Sequence, residues 1–146
     1  MNSKTKARID VLSVVGIVLG IIGIIGTTVG IIISIKVSRG QTYGVYNVAV
    51  DINNPCEEVK VVADKGDLYW KLANTTGSNT DYKVEYKGKK NQAYSTVFNN
   101  KLNSNSQTAW LFSSTSSKTV DRFYRVTQRT NLSPTISYFD LYFKVN

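Results

Sequence analysis

Hydrophobic and polar positions follow two different rhythms along this chain. From Val11 to Ile35 there are 25 residues without a charge or an aromatic ring. Within them Ser13, Gly16, Gly20, Gly23, Thr27, Gly30 and Ser34 recur at alternating spacings of 3 and 4. On a helix such positions share one narrow stripe. Nine Ile, five Val and two Leu fill most of the rest. After residue 40 the period becomes two. Tyr82, Val84 and Tyr86 alternate with Lys83, Glu85 and Lys87, the mark of a half-buried strand.

Length decides the reading of the first part. A bilayer core of about 30 Å needs roughly 20 apolar helical residues, which predicts a transmembrane helix over 11–37. A secretory signal would carry a shorter apolar core of about 7–15 residues and a small-x-small cleavage site. Lys36-Val37-Ser38-Arg39-Gly40 offers no such site, so the expectation is an uncleaved anchor. In lipid, helices associate through close backbone approach over small residues rather than through burial of Leu. The seven-residue stripe is therefore the candidate helix-packing surface. Lys4, Lys6 and Arg8 before the run, against Lys36 and Arg39 after it, favour a cytoplasmic N-terminus and a C-terminal domain outside.

The second part reads as a mainly β domain, an antiparallel sandwich or small barrel of about eight strands. Candidate strands are Tyr46 to Ile52, Glu58 to Ala63, Leu68 to Ala73, Tyr82 to Lys87, Ala93 to Phe98, Thr108 to Phe112, Val120 to Val126 and Tyr138 to Val145. Gly88-Lys89-Lys90-Asn91 predicts a turn, and Asn131-Leu132-Ser133-Pro134 a hairpin connection between the last two strands. The organisation expected is a basic flank (1–10), the membrane helix (11–37), a connector (38–42) and the extracytoplasmic β-domain (43–146).

Charge sharpens this picture. The chain carries +8, half of it in the first 40 residues, beside the apolar run, where it sets topology and meets anionic headgroups. The remainder is dispersed, and Lys87, Lys89 and Lys90 form its one tight cluster. That distribution gives no reason to expect nucleic acid. Cys56 is the single cysteine, so no disulfide forms within one chain.

Catalytic chemistry finds few tools. With no histidine, the usual base near neutral pH and the usual metal ligand are both missing. Asp64-Lys65-Gly66-Asp67 fits a turn better than a calcium loop. Glu57-Glu58 reads as a solvated pair. Asn74-Thr75-Thr76 and Asn131-Leu132-Ser133 match the N-glycosylation sequon. The expectation is a protein that is not an enzyme, with no catalytic or metal site and no cofactor.

Two functional classes survive. One is a self-associating structural subunit of a surface or virion membrane assembly, a homo-oligomer held by the helix stripe. The alternative is a membrane-tethered binding or adhesion module for a protein or glycan partner. Its candidate partner-binding residues are Trp70, Trp110, Lys87, Lys89 and Lys90.

Overall fold

A computed structural model of the protein describes residues 32–51, 56–129 and 136–146. Nine strands account for most of them: β1 (Ile32–Val37), β2 (Thr42–Asp51), β3 (Cys56–Ala63), β4 (Gly66–Asn74), β5 (Thr80–Lys87), β6 (Ser95–Leu102), β7 (Leu111–Ser116), β8 (Val120–Gln128) and β9 (Ile136–Val145). They form a five-stranded sheet in the order β1-β3-β8-β5-β6 and a four-stranded sheet in the order β2-β9-β4-β7. Inward residues of both sheets meet in one core, so the fold is mainly β and sandwich-like.

Alternation builds this core. Along β4 the burial pattern puts Leu68, Trp70 and Leu72 inside, with Tyr69, Lys71 and Ala73 on the other face. Val59 and Val61 do the same on β3, as do Phe139, Leu141, Phe143 and Val145 on β9. Aromatic rings cross the interior. Tyr124 sits 4.9 Å from Phe143, 5.2 Å from Tyr86 and 6.2 Å from Trp70, centroid to centroid. Offset and tilted pairs of this kind add to the stabilisation from burial itself.

The expectation of a helix over 11–37 fails at its C-terminal end. Ile32–Val37 is β1, paired parallel to β3 with Ile32 opposite Glu58 and Val37 opposite Ala63. Ile33, Ile35 and Val37 point into the core, while Ser34 and Lys36 are exposed. An apolar run rich in β-branched residues is compatible with either a helix or a buried strand. Here the alternation Ile33-Ser34-Ile35-Lys36-Val37 decides it. Ser34 therefore leaves the helix-packing stripe. Ser13, Gly16, Gly20, Gly23, Thr27 and Gly30 lie outside the described residues. Among the described residues no helix is long and apolar enough to cross a membrane.

Connections between strands differ from expectation at one place. The turn at Gly88 to Asn91 joins β5 to β6, which pair as a hairpin. The connection from β8 to β9 is not a hairpin. β8 pairs with β3 and β5, whereas β9 pairs with β2 and β4, so the chain passes there from one sheet to the other. The Asp64 to Asp67 segment also changes sheets, and Gly66 makes the corner with φ +136°. A Cβ at Gly66 would stand 2.6 Å from the Asn146 carbonyl oxygen.

Two local expectations are corrected by the same alternation. Glu57 faces inward beside Val59, and burial pushes its carboxyl up to about 7. Only Glu58 faces outward, where it accepts a hydrogen bond from the Tyr94 hydroxyl. The first sequon is closed as well. Asn74 is 1% exposed, and its side-chain nitrogen donates to the carbonyls of Ser78, Leu102 and Asn103 at 2.9, 3.0 and 3.2 Å. The second sequon lies outside the described residues.

Candidate functional site

The outward face of the four-stranded sheet carries an unusual composition. An antiparallel sheet packed on one side presents polar residues on the other. On this sheet Tyr69, Trp110, Phe112 and Tyr142 share the outer face with Lys71 and Lys144. The register explains the grouping. Tyr69 of β4 is opposite Lys144 of β9 and Phe112 of β7, and Lys71 is opposite Tyr142. Residues two apart on one strand fall on the same face, so these side chains form one tiled surface across β9, β4 and β7.

Lysines and rings interlock there. The Lys71 ammonium is 4.9 Å from the Trp110 ring centroid and 5.0 Å from that of Tyr142. That of Lys144 is 4.6 Å from Trp110 and 5.6 Å from Tyr69. Trp110 thus serves two cations. Tyr69 and Phe112 meet edge to face at 5.8 Å. Each cation–π contact at a half-exposed site contributes about 0.5–1 kcal/mol. Phe112 remains 58% exposed at the edge of the sheet. Two carboxylates complete the face: Asp140 accepts from the Tyr142 hydroxyl at 3.0 Å, and Asp67 from Thr115 at 2.6 Å. Two lysines and two aspartates leave the face close to neutral.

Of the partner-binding candidates, Trp110 belongs to this face. Trp70 does not: it is 2% exposed and packs edge to face on Phe98 at 6.4 Å, on the core side of β4. The strand period that exposes Tyr69 and Lys71 buries Trp70 between them.

The three lysines lie on the other sheet and divide into two roles. Lys87 is engaged by the fold. Its ammonium donates to the Lys90 carbonyl at 3.0 Å and stands 4.5 Å over the Tyr94 ring and 5.3 Å over Phe123. Lys89 and Lys90 are exposed. They rim a cavity of about 360 Å³ with Lys60, Gly88, Asp121 and Phe123. Beside it, Arg125 binds Glu85 at 2.6 Å, and that hydrogen bond holds the Glu85 carboxyl below the usual range. Among the described residues no three His, Cys, Asp or Glu side chains gather as a metal site requires.

Sequence reasoning missed Tyr69, Lys71, Phe112, Tyr142 and Lys144 as a group. Alternation is legible only along β5, β8 and β9; the outward face of β4, where Trp70 is the expected exposed ring, and the adjacency of β9, β4 and β7 are not.

No family model and no curated protein sequence matches the chain. Among solved structures, the chain is similar to the pre-peptidase C-terminal domain of collagenase from Bacillus anthracis, with 10% identity over 76% of this chain and 94% of that one, at a TM-score of 0.44.

Proposed function

We propose that this chain is a non-enzymatic, membrane-anchored binding module whose β-sandwich docks a glycan on the outer face of β9, β4 and β7. The observation that carries the reading is the interlocked set of Trp110, Phe112, Tyr69 and Tyr142 with Lys71 and Lys144. Large rings on a solvent face cost solubility, and contiguous exposed patches mark interaction surfaces. A sugar ring suits this one. Its C–H face is apolar and stacks on an aromatic ring, while its hydroxyls accept from ammonium groups and donate to carboxylates. A single-stranded nucleic acid would need a positively charged groove along its backbone beside the stacking rings. The near balance of lysine and aspartate here does not supply one.

Anchorage belongs to the same proposal. With Ile32–Val37 assigned to β1, residues 11–31 remain as the apolar run. At 1.5 Å per residue they are still long enough for a bilayer core of about 30 Å. The stripe from Ser13 to Gly30 supports self-association of that segment. Association would array several copies of a weak glycan face on one surface and raise its avidity.

Affinity electrophoresis of the full chain in detergent, through gels containing a soluble neutral glucan, xylan or mannan, tests the reading. The expected result is retardation by at least one of them, reduced about tenfold by Trp110→Ala or Phe112→Ala, as loss of a stacked aromatic anchor implies. Retardation by heparin or oligo-dT alone would overturn it.

A further inference from the structure

On the opposite sheet, the turn between β5 and β6 lines an open cleft of about 360 Å³ together with residues of β3 and β8, within the ~300–1,000 Å³ range of small-ligand sites. We infer that this cleft, lined by Lys60, Lys89, Lys90, Asp121 and Phe123, is a binding site for an acidic sugar: one pyranose unit bearing a carboxylate or sulfate. The inference shares a partner class with the proposed function but stands on other residues, on the other sheet.

Its walls are held in place. Arg122 donates to the Gly88 carbonyl at 3.1 Å and, through Nε, to the Ser114 hydroxyl of β7 at 3.3 Å. It thus ties the turn to both sheets. The Gly88 amide donates to the Gln92 side chain at 3.1 Å, and the Gln92 amide to the Lys89 carbonyl at 3.0 Å. Tyr94 closes the far side of the turn, with Arg125 at 4.2 Å from its ring centroid and Glu58 on its hydroxyl. These contacts limit the loop ordering that a ligand would otherwise have to pay for in entropy.

The lining selects the chemistry. Lys89 and Lys90 form no ion pair among the described residues, so two ammonium groups face the opening uncompensated. Lys60 is balanced by Asp121 at 3.4 Å. Phe123, 6% exposed and capped by the Lys87 ammonium 5.3 Å from its ring centroid, supplies a small apolar area between them. A bare anion would meet the lysines but also the Asp121 carboxylate, which repels it. A neutral sugar would use that apolar area and Asp121 but leave the lysines solvated. A sugar with an anionic group satisfies all three: anion to Lys89 and Lys90, a C–H group to the small exposed part of Phe123, hydroxyls donating to Asp121. The source is a glycan rather than the headgroups of the anchoring bilayer. β1 runs from Ile32 toward the end of the sheet that holds the cleft, so on the anchorage proposed above the bilayer would lie at the other end of that sheet.

Isothermal titration of the full chain in detergent with methyl β-glucuronide, methyl β-glucoside and sodium acetate tests this. The glucuronide should bind with a dissociation constant on the order of 1 mM, and the two controls about tenfold more weakly. Lys89→Ala with Lys90→Ala, both exposed and free of structural contacts through their side chains, should cost the glucuronide about tenfold. Asp121→Asn should weaken the glucuronide and strengthen acetate. All titrations are repeated in the Trp110→Ala background, where the aromatic face is disabled; the same ranking of the three probes there separates failure of this site from failure of that face. No glucuronide binding, glucuronide binding no tighter than acetate, or an unaffected Lys89/Lys90 variant would each overturn the inference.

Discussion

Asn74, the last residue of β4, donates a 3.0 Å hydrogen bond to the carbonyl of Leu102, the last residue of β6. The two strands belong to different sheets, so one side chain ties the sheets together at that end. The same amide nitrogen reaches Ser78 and Asn103, and its oxygen accepts from the Thr76 amide, the Thr76 hydroxyl and Tyr82. Removing a buried hub leaves several partners unsatisfied, each at about 1–3 kcal/mol where water cannot enter. Asn74→Ala should therefore lower stability by about 2–4 kcal/mol, read as a shift in the urea midpoint. In a glycosylating host the native chain should carry no glycan at Asn74, as intact mass would show.

β1 sets a lower limit on the folding unit. Ile33, Ile35 and Val37 are each about 1% exposed or less. Burying an aliphatic side chain contributes roughly 1.5–3 kcal/mol, and whole domains hold only about 5–15 kcal/mol. A fragment of residues 32–146 should fold without metal or reductant. A fragment of residues 41–146 should be largely unfolded at 25 °C by circular dichroism. Equal stability of the two would show that β1 is dispensable.

Glu57 makes stability depend on pH near neutrality. Burial raises its folded-state pKa to about 7 from the ordinary carboxyl value of 4.5. Folding therefore takes up a proton between those values, and stability falls as pH rises through that window. Below pH 4.5 the carboxyl is neutral in both states and contributes nothing to the difference. Glu57→Gln should melt higher than the native protein at pH 8 and close to it at pH 4.5. Calorimetry at the two values checks the sign.

Gly20→Ile with Gly23→Ile tests self-association in the apolar run. Larger side chains on the stripe push helix backbones apart, at a loss on the order of 1 kcal/mol per contact in lipid. Crosslinking in membranes should fall sharply, while insertion is unaffected because Ile favours the bilayer. Ile22→Leu with Ile25→Leu, on the opposite face, should behave as the native chain. Equal crosslinking of all three would reduce the segment to a tether.

The legibility of each element tracks how local its cause is. All eight candidate strands overlap strands of the fold, because two-residue alternation is written in adjacent positions, but Thr108 to Phe112 shares only Leu111 and Phe112 with β7. β1 escaped because its short alternation, Ile33-Ser34-Ile35-Lys36-Val37, closes an apolar run whose earlier part carries helical spacing. Lys89 and Lys90 were visible as a cluster, and Trp110 as an exposed aromatic candidate. Their companions were not. Phe123 and Asp121 reach the cleft only because β8 lies between β3 and β5, and Tyr142 reaches Lys71 only because β9 lies beside β4.

By itself the sequence determined the β character of residues after 40, the parity of β5, β8 and β9, the scarcity of catalytic groups and the apolar length of the N-terminal run. Tertiary structure decided which strands are neighbours, that β8 and β9 part into different sheets, that Trp70 and Glu57 turn inward, and that the Asn74 side chain is buried. The reason is physical. Alternation is a property of one strand, whereas a binding face or a buried hub is a property of several strands whose order no single segment encodes.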